Sequence, residues 1–575
     1  MIVLADAEFR RIRDLPRRPE PPPAVMVDLA TELHNAFRKP KSSAALRPIQ
    51  VRALAEYIEH GKLVGEIGAG FGKALLSFLL MTAGQTFFGK QRGLLIVPAK
   101  LREQTLDVHA MWSEHFAIPP LLEADEKGLA PLRLISYEML SLASKASFLS
   151  SWDFDMLILD EAHLVSRMPS ARARRLFRFV HDARKRGRDI HFVPLSGTMR
   201  RRRLAECAHI YEAALQKGSP LPQHYPTLES WGNCLDEGIN EDIRYKPGAL
   251  LELCAPDEAG DLAGWRRAFR RRLVETPGVV ATSEEAVDIP LVMQARTVAV
   301  PVAIREALER LEAEWVLPNG DEVDSPLNYW NFARQIATGF SYRWVPPPPQ
   351  EWMNARRDWA AFVRTAIASA PRALPLDSPL QVWQAVEAGR FGYVPEFERW
   401  KALRGTFEPN PVPFWIDEYL LRDAEEWALS TGGIVWCGFT SAHEKGEDVE
   451  QAFTGRFKQI PFFGAGDDRI RTHQGPCAAS IRSHGTGKNL TQWNRALIMC
   501  MPSSGSTVEQ LLARHHRIGQ TADMVLVEFY QHTPAMREAL TTALKDARFA
   551  QDVGGQPQRL LSCNLLTEDG HALYR

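Results

Sequence analysis

Short and almost uninterrupted apolar runs recur through the first third of the chain, and between them the apolar residues return every three or four positions. The runs are KLVGEIG (62–68), GLLIVPA (93–99), LRLISY (132–137), DMLILD (155–160) and HFVPLSG (191–197). A strand buried on both faces shows no polar alternation, and such strands separated by amphipathic helices build a parallel sheet covered on both sides. From about 216 to 425 the pattern changes to helical periodicity, as in AIREALERLEAEW (303–315) and RRDWAAFVRTAIASA (356–370), broken by Pro346–Pro349. Strand-like runs return from about 426 as GGIVWCGFT, QIPFFGAG, CAASIRSHG, RALIMCMP and MVLVEFY. The expectation is an α/β protein with two lobes, each a parallel sheet covered by helices, and a mostly helical insertion between them. Its segments read as an N-terminal arm (1–45), a first lobe (46–215), the insertion (216–425), a second lobe (426–555) and a C-terminal tail (556–575).

Composition narrows this picture only a little. At 575 residues the chain exceeds a single core, and its 45% hydrophobic and 24% charged residues are ordinary for a globular protein. No stretch approaches the roughly 18 apolar residues of a membrane span, and the first residues do not follow a signal-peptide pattern. The seven cysteines include no CxxC pair, which points away from zinc and disulfide frameworks and toward a reducing cytoplasm. The net charge of −1 announces no polyanionic partner. Its distribution is more informative: between Val165 and Leu215 thirteen arginines and lysines face four acids. Arg172, Arg175 and Arg178 fall on one helical face, Arg200–Arg203 follows SGTM, and RRAFRRR spans Arg266–Arg272. Each run suits a phosphate backbone, or simply a solvated surface.

Two of the buried runs end in chemistry. KLVGEIGAGFGKALLSFLL reads as strand, glycine-rich turn and helix; Gly68, Gly70 and Gly72 let the backbone amides curl around a phosphate at the helix start. Lys73 stands where an ammonium reaches the β- and γ-phosphates of ATP. The pattern departs from GxxxxGK[ST] at Ile67 and at Ala74, where a hydroxyl normally ligates Mg²⁺. Ser77, one turn on, lies too far along the helix to replace it. MLILDEAHL ends a strand in Asp160, suited to holding Mg²⁺ through water, and Glu161, suited to orienting and deprotonating the attacking water. Ligands of open α/β sheets bind at that strand edge, so the loop and both carboxylates are expected to converge there.

The order LRPIQ, GAGFGKA, DEAH and LSGT resembles the first lobe of superfamily-two helicases, and EQLLARHHRIGQ resembles the last motif of their Swi/Snf-type branch. The compact size and the form HGTGKNL are similar to phage-encoded members. The resemblance covers roughly 46–215 and 426–530. It implies two RecA-like lobes, an ATP-binding DEAH-box hydrolase activity requiring ATP and Mg²⁺, and a set of residue roles. Gln50 would read the adenine edge. His163, Ser196, Gly197 and Thr198 would couple nucleotide to the lobe interface. Gln510, Arg514 and Arg517 would face the same ATP, with Arg517 or Arg514 as arginine finger, an assignment that the spacing of the two arginines on one helical face also suits. DNA would run along Lys100, Ser136 and Tyr137 in the first lobe, with Arg200 nearby, and along Thr440, Thr486, Gly487 and Asn489 in the second. Contacts of this kind go to phosphates and carry little sequence information.

The function so implied is an ATP-driven translocase on duplex DNA, with single strands as another substrate, acting in replication, repair or remodelling of protein–DNA complexes. The chain is expected to be a monomer, free of membrane, in a prokaryotic or phage-infected cytoplasm. Two alternatives stand beside it: a strand-separating DNA or RNA helicase, and, because of Ala74, a nucleotide-gated DNA-binding protein with weak turnover. The tryptophans Trp315, Trp330, Trp352, Trp359 and Trp383 offer base-stacking surfaces, although helical packing accounts for them more simply.

Overall fold

The apolar runs of the first third form the strands of one sheet: β1 (Val64–Glu66), β2 (Gly93–Val97), β3 (Leu121–Glu123), β4 (Leu132–Ser136), β5 (Met156–Asp160), β6 (His191–Leu195) and β7 (Val279–Ala281). In this computed structural model they lie in the order β3-β4-β2-β5-β6-β1-β7, with every neighbouring pair parallel. The structure describes the chain apart from residues 1, 69, 146, 198, 201, 238, 283–288, 320–322, 324–325, 370–375, 377–378, 409–410, 439–451, 486–487, 518 and 574–575.

Strand β5 shows why its sequence carries no polar alternation. Leu157 and Leu159 pack into one hydrophobic core, with Leu176 and Phe179 of the helix Ala171–Lys185. Met156 and Ile158 pack into another on the opposite face, with Leu76 and Leu79 of the helix Lys73–Phe88. Each such buried side chain contributes about 1.5–3 kcal/mol of transfer free energy, so a polar residue on either face would be costly.

The remaining strands are β8 (Leu291–Arg296), β9 (Phe340–Trp344), β10 (Pro411–Trp415), β11 (Ile434–Cys437), β12 (Phe462–Phe463), β13 (Cys477–Ser480), β14 (Arg495–Ile498), β15 (Val525–Tyr530) and β16 (Asn564–Leu566). Seven of them build a second parallel sheet in the order β12-β13-β11-β14-β15-β8-β16, and β9 pairs antiparallel with β10. In β11, Ile434 and Trp436 enter one core while Val435 and Cys437 enter the other, again covering both faces. The protein is thus α/β, with two parallel sheets covered by helices, consistent with two RecA-like lobes.

The segment 216–425 is not wholly helical. It supplies β7 to the first sheet and β8 to the second, where β8 pairs with β15 along its whole length. Strand β7 is three residues long, and β8 buries alternate residues only, so neither produces a long apolar run. Beyond β8 the chain forms the helices Val302–Glu314, Pro326–Thr338, Gln350–Ser369, Pro379–Glu387, Pro395–Leu403 and Tyr419–Thr431. Aromatic packing dominates part of this region: Trp352 is buried with its ring 5.2 Å from Trp400 and 5.1 Å from Phe407, and Trp359 lies 5.5 Å from Phe397. Trp352 and Trp359 are therefore core residues without a face for a base, whereas Trp315 and Trp330 remain exposed.

The chain divides into two compact units. The first comprises Met1–Glu285, Ala366–Gln384 and Arg548–Pro557, and the second Ala286–Thr365, Ala385–Ala547 and Gln558–Arg575. Among the described residues no helix is long and apolar enough to cross a membrane.

Candidate functional site

In the first unit the carboxyl ends of β5, β6 and β1 lie side by side, with Asp160 and Gly65 both in register with Leu195. From these ends project Asp160 and Glu161, then Ser196, then the glycine-rich turn that leads into the helix Lys73–Phe88. The turn needs glycine for a steric reason. Gly70 and Gly72 have φ of +94° and +77°, and a Cβ on Gly72 would stand 2.5 Å from Gln50 Nε2.

Lys73 folds back over this turn. Its ammonium donates to the carbonyls of Ile67 at 3.2 Å and Gly68 at 3.4 Å, and lies 3.4 Å from Glu161 Oε1. Glu161 has a left-handed backbone, φ 55° and ψ 49°, which costs a non-glycine residue of order 1–3 kcal/mol and persists only where its surroundings impose it. The imposed conformation turns its carboxylate toward Lys73 on one side and Ser196 on the other. The Ser196 hydroxyl donates to Glu161 Oε2 at 3.4 Å and lies 3.0 Å from His163 Nδ1. The sequence-assigned residues Lys73, Asp160, Glu161, His163 and Ser196 thus meet at one strand edge.

Electrostatics separate the two carboxylates. Burial, reinforced by the charge of Glu161 and opposed by Lys73, pushes Asp160 above the usual carboxylate range. Burial would also raise Glu161, but the Lys73 ammonium and the His163 contact outweigh it and hold Glu161 below the usual carboxylate range. A side chain kept ionised beside a phosphate-binding turn can accept a proton from water. The all-oxygen donor set, two carboxylates against one ammonium, also suits a hard divalent cation that retains most of its water.

Gln50 is spent on the turn itself. Its Oε1 accepts from Arg47 N at 2.9 Å, its Nε2 donates to Gly72 O at 2.9 Å, and the Arg47 guanidinium donates to Gly70 O. Ala74 is partly exposed, and the Ser77 hydroxyl is buried, donating to Lys73 O at 3.0 Å. Ser77 therefore brings no oxygen toward the phosphate turn.

Several residues assigned to DNA have other work. Arg200 is 2% exposed and paired with Glu66, so it cannot meet a backbone phosphate at the surface. Ser136 caps the helix Tyr137–Ser141, accepting from Met139 N at 3.2 Å, and the buried Tyr137 donates to Asp160 O at 2.9 Å. Both residues are buried, so neither hydroxyl lies at the surface where a backbone phosphate would run. Lys100 remains exposed in the turn after β2, whose Ala99 amide donates to Glu138 Oε2 at 2.8 Å. The arginine runs are likewise less available than their sequence suggests. Arg175 is buried against the carbonyls of Leu140 and Leu142, Arg172 donates to Leu164 O, and Arg272 donates to the carbonyls of Ile12, Leu15 and Pro16.

In the second unit the helix Gly505–His515 ends before Arg517, so Arg514 and Arg517 do not share a helix face. Arg514 is buried, its Nη1 donating to Lys488 O at 2.7 Å and its Nε to Gln510 O at 3.0 Å, contacts that brace the second unit. Arg517 and Gln510 are half-buried, and Asn489 is exposed. Thr198, Thr440, Thr486 and Gly487 lie outside the described residues.

Sequence reasoning missed the scaffold around the HRIGQ segment. Trp436 Nε1 donates to His515 Nε2 at 3.0 Å, so His515 carries its proton on Nδ1, toward the carbonyls of Leu490 at 3.2 Å and Trp493 at 3.1 Å. Burial pushes this histidine down to about 4, which keeps it neutral. It also missed Glu66. The available signal was a lone carboxylate inside the apolar run KLVGEIG, since a charge in a buried strand requires a partner.

No protein-family model and no curated protein matches this chain.

The Glu66–Arg200 pair carries a stability prediction. Arg200→Ala leaves a buried carboxylate without its counter-charge and is expected to cost about 3–5 kcal/mol, read as a lower urea midpoint. A loss under about 1 kcal/mol would mean that Glu66 finds solvent or protonates without penalty.

Proposed function

We propose that the chain is an ATP-dependent DNA translocase of helicase type, hydrolysing ATP to move along duplex DNA in a cytoplasmic setting. The observation that carries this reading is the meeting of Lys73, Asp160, Glu161, His163 and Ser196 at the carboxyl edge of one parallel sheet, beside a glycine turn that opens a helix. Lys73 exchanges its contact with Glu161 for the β- and γ-phosphates, the turn amides and helix start add their partial positive charge, and Glu161 orients water and takes its proton. His163 and Ser196 hold Glu161 in place. Asp160 would hold Mg²⁺ through water, and the ion would offset phosphate charge there. The choice of DNA, and of translocation, rests on the motif order from LRPIQ to HRIGQ in the sequence.

The deciding experiment is steady-state ATPase activity with single strands, duplexes and forks, beside triplex displacement and strand unwinding. Stimulation by duplex with triplex displacement supports the reading. Unwinding of forks without triplex displacement replaces it with a strand-separating helicase.

Ala74 favours one further reading, a nucleotide-gated DNA binder with weak turnover, because the position lacks the oxygen that would fix the metal directly. Ala74→Thr is expected to raise DNA-stimulated turnover and to lower the Mg²⁺ concentration giving half-maximal nucleotide binding, with DNA affinity unchanged. Superimposable Mg²⁺ titrations for the two proteins would show that Ala74 imposes no handicap.

A further inference from the structure

Glu66 ends β1 and is 1% exposed, in a strand otherwise lacking charge. Its Oε1 accepts from both the Arg200 guanidinium and the Tyr211 hydroxyl. Arg200 also donates to Cys207 Sγ at 3.7 Å. The second carboxylate oxygen is covered by main chain: a Cβ on Gly554 would stand 3.2 Å from Glu66 Oε2 and 3.3 Å from an Arg200 nitrogen. Four segments meet here, namely the end of β1, the turn after β6, the helix Ala205–Leu215 and the backbone at Gly554.

A buried ion pair is an inefficient source of stability, because desolvation of both charges offsets their attraction. Its distinctive property is direction. A carboxylate gripped by a guanidinium and a hydroxyl cannot slide, whereas apolar side chains tolerate small shifts in register. What this grip would fix is visible along the chain. Glu66 immediately precedes Ile67, whose carbonyl receives the Lys73 ammonium. Arg200 follows, four positions on, Ser196, whose hydroxyl donates to Glu161. Backbone bonds tie the same pieces together: Ser196 N donates to Gly65 O at 2.9 Å, Thr282 N to Glu66 O at 3.0 Å, and Gly68 N to Thr282 Oγ1 at 3.2 Å.

We propose that Glu66, Arg200 and Tyr211 are positioning residues that hold the Lys73 turn and the Ser196–Glu161 arm at a fixed separation, so that ATP turnover depends on their polar contacts. The inference rests on reading the neighbouring site as an ATPase. A displacement of about 1 Å between reacting groups can cost about 10²-fold in rate, which is the scale of effect such a network guards against.

The test replaces the polar trio by apolar residues of similar volume, Glu66→Leu, Arg200→Met and Tyr211→Phe together, a change that buried ion-pair clusters commonly tolerate in folding. The expected result is a melting temperature close to wild type and a kcat for ATP reduced by about 10²-fold. KM should change much less, and amide exchange should accelerate in 67–72 and 195–199 and not elsewhere. Wild-type kcat and unchanged exchange in a folded triple variant overturn the proposal and leave the trio a structural staple. If the triple variant does not fold, Tyr211→Phe alone decides: faster exchange in 67–72 with a lowered kcat supports the network, and wild-type values for both overturn it. Nucleotide binding by wild type, abolished in Lys73→Ala, tests the ATPase reading separately, and the exchange measurements need no nucleotide.

Discussion

ATP turnover by a Glu161→Gln protein is expected to fall by about 10²- to 10⁴-fold, the range for loss of a general base, while nucleotide binding persists. Glu161 is held ionised by the Lys73 ammonium and His163, and its left-handed backbone presents the carboxylate to the phosphate turn. An amide keeps the shape and accepts no proton. Glutamine also releases Lys73 from its 3.4 Å ion pair, so affinity for nucleotide should equal or exceed that of wild type. Single-turnover hydrolysis and binding of a fluorescent nucleotide, measured on the same sample, separate the two effects. Undiminished turnover would remove the base assignment from Glu161 and with it the proposed chemistry.

Lys73→Ala should do the reverse and damage binding together with turnover. The ammonium is the single cation in contact with the Glu161 carboxylate, apart from any charge on His163, among the described residues. Without it an incoming triphosphate meets two carboxylates with only turn amides in attendance. A charge-assisted hydrogen bond contributes about 1.5–3 kcal/mol, so affinity should drop by roughly ten- to 150-fold, and loss of an electrostatic donor at the reacting centre should lower kcat by a further 10²–10³-fold. Lys73→Arg is not expected to rescue, because a planar fork does not replace a compact ammonium at the end of a flexible stem. Wild-type affinity and rate in Lys73→Ala would place the nucleotide elsewhere, or nowhere.

The two sheets were legible in the sequence because strands covered on both faces leave long apolar runs, such as 156–160 and 434–437. Strands β7 and β8 escaped notice because one is three residues long and the other alternates. At the candidate site, Lys73, Asp160 and Glu161 could be placed together because they stand at or beyond the ends of recognisable strands, whereas His163 and Ser196 were assigned through the resemblance of DEAH and LSGT to helicase motifs. The arginines could not be sorted in the same way. Arg200, Arg175 and Arg514 look like surface charge in a linear text, and only the fold supplies the carboxylate or carbonyls that bury them. A hydroxyl next to a strand end was equally ambiguous: Ser136 and Tyr137 fit a phosphate contact by position, yet their oxygens are engaged within the first unit.

The chain does not finish one unit before beginning the other. Residues Arg548–Pro557 belong to the first unit although the chain on both sides of them belongs to the second. There Arg266 stacks on Phe549 at 5.1 Å, and Arg270 donates to Gly555 O at 2.8 Å. No single cut in the polypeptide can therefore release both units whole. A fragment ending near residue 285 keeps Glu66 and Arg200 yet loses the glycine backbone that covers them and uncovers the arginine-rich helix Leu262–Val274. Limited proteolysis should accordingly nick the chain without separating soluble halves, and co-expressed fragments should reassemble only when the C-terminal piece retains residues 548–557.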